Sequence, residues 1–177
     1  MSDAHVCRLR GLWSCAFARH KGLRDDSGSA VIELALVVAL FGVLLLMGTS
    51  EMASVVYDAI EISNAAFAAS AYGMQSLTYA SNTSGMTSAA RTEASDFGTA
   101  LSVTPTTYYA CSNAVGGTQY TGSNAQSDAN AACTGTGNHA LEFVQVTTSA
   151  TVTPPIHCPG LAASFVLTGF SVMEVEQ

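Results

Sequence analysis

The chain is 177 residues long, 49% hydrophobic and only 11% charged, with a formal net charge of −7 at neutral pH. That length holds one anchoring helix and one modest domain, and leaves little room for a second folded domain. Beyond Gly28 a single Arg91 stands against ten carboxylates, a balance that repels phosphate backbones and excludes nucleic acid as a natural partner.

Residues 1–28 carry the other five basic residues, Arg8, Arg10, Arg19, Lys21 and Arg24, and close on Asp25-Asp26-Ser27-Gly28. This composition reads as a basic cytoplasmic leader with little fold of its own. The Leu12-Trp13 and Ala16-Phe17 pairs offer contact with a membrane surface. Positive residues resist translocation, so a basic flank beside an apolar run predicts a cytoplasmic N-terminus and an exported remainder.

From Leu34 to Ser50 run 17 uncharged residues, flanked by Ala30–Ile32 and Met52–Tyr57. About 20 apolar helical residues suffice to cross the hydrocarbon core, so lipid is the expected surrounding of this segment. A cleaved secretory signal is the competing reading. It is disfavoured because the run is long and passes into further helical sequence instead of a small-residue cleavage site. Val55, Val56, Ala59, Ile62, Ala66, Ala69 and Tyr72 recur at helical spacing, which predicts one helix over residues 29–73. At 1.5 Å per residue the stretch 31–73 reaches roughly 60 Å, more than a bilayer needs. Gly42, Gly48, Ser54 and Ser63 provide places for close helix contact.

Residues 74–177 are expected to form an exported α+β domain. Ser81-Asn82-Thr83-Ser84-Gly85 reads as a loop, and as a surface turn rather than a glycosylation acceptor, ahead of a short helix over Ser88–Phe97 built on Ala89, Ala90, Ala94 and Phe97. Three β-branched and aromatic runs, Leu101–Ala110, Leu141–Val152 and Phe165–Val175, predict an antiparallel sheet. Residues 112–140 read as a long exposed loop. Pro154, Pro155 and Pro159 punctuate the connection to the last strand. Leu141, Phe143, Phe165, Leu167, Phe170 and Val172 are the candidates for covering the membrane-distal part of the helix.

Of five cysteines, Cys7 and Cys15 precede the apolar run and Cys111, Cys133 and Cys158 follow it. An oxidising compartment permits one bridge among the last three, and their connectivity stays open at this level. A Cys111–Cys133 link would staple the polar loop, a constraint of about 3 kcal/mol on the loop-entropy estimate. His157 beside Cys158 is one adjacent donor pair without a CxxC companion, so no metal and no cofactor is expected. His139, His157, Asp128 and Glu142 follow no recognised catalytic pattern, and an enzyme is not expected.

The most informative short sequence is Gly28-Ser29-Ala30-Val31-Ile32-Glu33-Leu34. A lone carboxylate inside an apolar envelope is costly unless it is hydrated or paired. The pattern resembles a type IV prepilin peptidase site, in which cleavage follows Gly and a Glu occupies the fifth residue of the product. With Glu33-Leu34-Ala35-Leu36, Gly48-Thr49-Ser50-Glu51, Asn64-Ala65-Ala66 and the terminal Gly169-Phe170-Ser171-Val172-Met173-Glu174-Val175-Glu176, the chain resembles TadE-like minor pilins or pseudopilins of the tight-adherence (Flp pilus) system. Leu34 stands where that family usually carries Phe. The resemblance implies a pilin-like fold, cleavage between Gly28 and Ser29 by a prepilin peptidase, and an assembly role for Glu33. It also implies partnership with other pilin subunits and tight-adherence assembly proteins, in pilus assembly, initiation or decoration. The alternative is an uncleaved bitopic envelope protein with a distal binding domain.

Overall fold

The structure, a computed structural model, describes residues 26–114, 116–154 and 162–176. The basic leader through Asp25, Cys7, Cys15, Pro155, His157, Cys158 and Pro159 lie outside the described residues. Two compact units divide at Met47 and Gly48.

The long helix α1 spans Asp26–Gly73. Its sequence contains no proline and is rich in Ala and Leu, so nothing interrupts the i to i−4 ladder. It ends at Gly73, where Met74 N donates to Ser70 O at 2.9 Å. Within the first unit the apolar side chains of α1 stand exposed. Within the second, Ile62, Ala65, Ala66 and Ala69 are fully buried.

Two short helices follow, α2 (Leu77–Ala80) and α3 (Thr83–Glu93). The stretch read as a loop is thus the start of α3. Asn82 is its N-cap, and its side chain accepts from Gly85 N at 2.9 Å. Gly85 lies against the Tyr72 ring so closely that a Cβ there would stand 2.5 Å from the phenol oxygen. The helix expected over Ser88–Phe97 therefore begins five residues earlier. It buries Met86 and Ala90, with Ala94 as its C-cap. A 3-10 turn, Gly98–Ala100, leads into the sheet.

The sheet is an antiparallel meander of β1 (Ser102–Cys111), β2 (Ala140–Val152) and β3 (Phe165–Glu174), in that spatial order. Between β1 and β2, where an unstructured loop is expected, α4 (Ala125–Ala132) forms and buries Ala125 and Ala129. The two small side chains left no apolar signal long enough to read as a helix.

Strand parity sorts the side chains into two layers. Val144, Val146, Ala150 and Val152 of β2 join Ile62, Ala65 and Ala69 of α1, and Met86, Ala90 and Ala94, in the main core. On the opposite face, Tyr108 and Phe143 stack with ring centroids 5.3 Å apart in a smaller cluster with Ala110 and Leu141. The six residues expected to cover α1 therefore divide. Leu167 packs against the main core, and Phe165 shares its parity on β3. Leu141 and Phe143 belong to the other face, and Phe170 and Val172 point to solvent.

The reason lies at Gly169. A Cβ there would meet Ile62 O at 2.5 Å, Thr148 Oγ1 at 2.6 Å and Ser63 Cα at 2.9 Å. Glycine lets α1 and β3 approach backbone to backbone, and that contact sets the odd-numbered residues of β3 inward. Thr148 Oγ1 donates to Ile62 O at 2.8 Å, and the Ser70 and Ser171 hydroxyls meet at 2.6 Å. Both bonds satisfy polar groups at a buried seam.

Candidate functional site

The first candidate is the apolar length of α1. Val31, Ile32, Leu34, Leu36, Val38, Leu40, Phe41, Leu45 and Leu46 are each at least 60% exposed. They occupy every side of the helix, so no single stripe is left for a protein core. A window of this helix has mean hydropathy 2.8, and none of it is buried. Length and composition are those of a membrane span.

Gly28, Ser29 and Glu33 lie in the opening turns of α1, and all three are exposed. Nothing stands within 4 Å of a Cβ placed on Gly28. Because the helix begins at Asp26, the Gly28–Ser29 peptide bond falls inside its first turn, and a protease must unwind that turn to extend the bond. Ser29 and Glu33 are four residues apart, which puts them on one face of the helix.

The second candidate is the distal domain. Cys111, the last residue of β1, and Cys133, the C-cap of α4, are joined by a disulfide with Cα atoms 5.3 Å apart. The bridge holds α4 across the outer end of the sheet. Beside it, Tyr109 donates its hydroxyl to Glu142 Oε2 at 2.7 Å. Burial, the hydrogen bond and the negative charge of Glu142 together push the Tyr109 phenol up to about 12.

A shallow cleft gathers Tyr57, Ile60, Glu61 and Asn64 of α1 with Glu93, Ser95 and Asp96. Asp96 N donates to Glu61 Oε1 at 3.4 Å. Burial raises the Glu61 carboxyl above its ordinary value, opposed by that backbone hydrogen bond and reinforced by Asp96, Asp58 and Glu93. Asp58 is raised for the same first cause, with Asp96 second. Sequence reasoning missed this cleft because its carboxylates come from two helical turns of α1 and a segment some 35 residues later. Among the described residues, no group of three His, Cys, Asp or Glu side chains is placed to hold a metal ion.

The architecture is thus a single apolar N-terminal helix followed by a small domain with a three-stranded antiparallel sheet, consistent with a single-pass membrane topology. No family model, curated protein or solved structure matches the chain.

Proposed function

We propose that this chain is a bitopic envelope protein that tethers a small binding domain to the membrane, with the basic leader in the cytoplasm and residues beyond the span exported. The observation that carries this reading is the exposure of apolar side chains on all sides of α1 before Gly48. Each such residue favours lipid by about 0.3–0.6 kcal/mol, and nothing in the first unit shields them from water. Alkaline carbonate extraction should leave the full-length protein in the membrane pellet. Protease added to spheroplasts should digest the distal domain and spare the leader. Release into the supernatant, or digestion of both ends from one side, would sink the proposal.

A specific observation favours a second reading, in which the chain is a processed minor pilin or pseudopilin of a tight-adherence system. Glu33 is a carboxylate within the apolar span, one helical turn from Ser29. Cleavage after Gly28 would create an amine at Ser29 on the same helix face, and a cation there compensates the carboxylate in lipid or in a helix bundle. A prepilin peptidase would be the processing partner, and other pilin subunits and tight-adherence assembly proteins the assembly partners. Intact mass of the native product separates the readings: a chain beginning at Ser29 supports the subunit, and one keeping residues 1–28 supports the uncleaved protein. Gly28→Arg should block that cleavage and leave insertion intact.

A further inference from the structure

Beyond Gly48, α1 exposes an apolar row on the side away from the sheet. Ala53, Val56, Ile60, Ser63 and Phe67 follow one another at alternating steps of three and four residues. That 3.5-residue period is the seam of a helix that meets another helix, and here it runs along one side of α1 for about 20 Å. All five residues are exposed, the large ones at 53% for Val56, 55% for Ile60 and 60% for Phe67. Ile62, Ala65 and Ala69, which pack into the core, lie roughly opposite. A contiguous apolar row left in water marks an interaction surface.

The two flanks of this seam differ. Ala59 and Ala66 edge one side. Tyr57 and Asn64 edge the other, and there the seam opens into the acidic cleft, which Ile60 also lines. Glu61, Glu93 and Asp96 face that cleft, and Asp58 stands near enough to feel the charge of Asp96. Among the described residues none of the four carboxylates has a cationic partner. Glu61 Oε1 accepts from Asp96 N, but Oε2 is buried and has no hydrogen-bond partner. A buried carboxylate oxygen without a donor is costly, and a donor arriving from outside would remove that cost. The cation does not come from this chain. Arg91 is the single Lys or Arg beyond Gly28, and its guanidinium donates to Leu101 O at 3.4 Å and lines a different groove with Thr83, Thr87 and Thr92. The five cations of the leader lie across the membrane on the bitopic reading. A second copy set seam to seam would bring four more carboxylates and no cation, so charge selects against self-pairing while the period selects a helix.

We propose that this face docks a cationic amphipathic helix of another envelope protein, with the partner's apolar residues on Val56, Ile60 and Phe67 and its Lys or Arg side chains over Glu61, Glu93 and Asp96. A cation in the cleft supplies the donor that Glu61 Oε2 lacks and offsets the mutual repulsion of the carboxylates. The apolar seam supplies contact area, and the one-sided acidic flank fixes which edge of the partner carries its charge. This names the partner class of the distal domain, and so rests on the reading of that domain as a binding module. Membrane retention does not depend on it, and the two can fail separately.

The test uses the full-length protein in phosphatidylcholine nanodiscs, titrated with a fluorescent helical peptide of about three heptads that carries Leu along its seam and Lys along one flank. A matched peptide carries Glu in place of Lys, and empty nanodiscs measure uptake by lipid alone. The Lys peptide should bind the protein at least about tenfold more tightly than the Glu peptide does, and more tightly than it binds empty discs. Ile60→Gln, which cuts the seam, and Glu61→Gln with Asp96→Asn, which discharges the cleft, should each weaken that binding about tenfold. Added salt should weaken the wild type more than the discharged variant. Phe170→Ser, on the exposed face of β3, should leave binding unchanged, and retention of the Cys111–Cys133 bridge and of the thermal midpoint certifies each fold. Equal affinity for the two peptides, uptake no greater than by empty discs, indifference to the discharged cleft, or a wild-type dimer that Ile60→Gln dissolves would overturn the proposal. Protein that resists carbonate extraction but ignores the Lys peptide sinks this inference and leaves the membrane tether standing.

Discussion

Two stretches of α1 have similar helical propensity and opposite surroundings. Before Gly48 its side chains are large, branched and exposed on every side, from Val31 at 67% to Leu46 at 71%. From Ile62 to Ser70 one face is small and fully buried: Ala65, Ala66, Ala69 and Ser70 are all at 0%. Size is the distinction. A helix meant for lipid maximises apolar area, whereas a helix meant for a sheet needs a face flat enough for backbone to approach backbone. The opposite face of the second stretch keeps Val56, Ile60 and Phe67 exposed, so burial there follows the sheet and not hydrophobicity.

The sharpest way to break this comparison uses two isoleucines two residues apart. Ile62 is fully buried and Ile60 is 55% exposed. Ile62→Ala should cost about 2–5 kcal/mol of domain stability by transfer and cavity terms. Ile60→Ala should cost under about 0.5 kcal/mol, as surface changes do. Denaturant unfolding followed by circular dichroism measures both, and equal losses would erase the distinction.

A somewhat smaller effect tests the first stretch. Leu40→Arg puts a cation near the middle of the span and should oppose insertion by about 2.5–3.5 kcal/mol. The fraction of protein resisting carbonate extraction should fall, while a distal domain released by protease unfolds at an unchanged temperature. An unchanged pellet fraction would remove the membrane from the account.

The smallest effect sharpens the electrostatics of the distal stretch. Asp58 and Glu61 are raised by burial and by the neighbouring carboxylates, so the folded state holds their protons more tightly than the unfolded chain does. Their penalty is absent below the ordinary carboxylate range and grows as pH rises through the raised values. Asp96→Asn removes one of the repelling charges and should stabilise the domain at neutral pH by roughly 0.2–0.5 kcal/mol after solvent screening. The gain should vanish in acid. A gain that persists at low pH would assign the effect to packing.

Much of this fold was legible from residue order. The three strands appear within a residue of their expected limits, and the apolar helix ends where expected but begins three residues earlier, because long runs of one periodicity leave few alternatives. Which face of β3 turns inward was not legible. Phe170 and Val172 outrank Gly169 and Ser171 in hydrophobicity, but only Gly169 fits beneath Ile62 O. The sheet therefore exposes the more apolar residues and buries the smaller ones. Helix α4 escaped for a related reason, since its buried face is two alanines in a polar segment. Of the candidate site, the Gly28 to Glu33 spacing could be read directly. The carboxylate cleft depends on the return of residues 93–96 to α1, a contact that no local pattern encodes.

The Cys111–Cys133 bridge carries one more consequence. It joins residues 22 apart in sequence and so encloses α4 and Tyr120, the bridge partner of Tyr109. In a reducing cytoplasm those thiols stay open. On the exported reading, the covalent link is written only after the polypeptide has crossed, and it makes a durable chronological record of that crossing. The oxidised fraction of a pulse-labelled population would then follow how much of it has crossed the membrane, independently of any assay of what the domain binds.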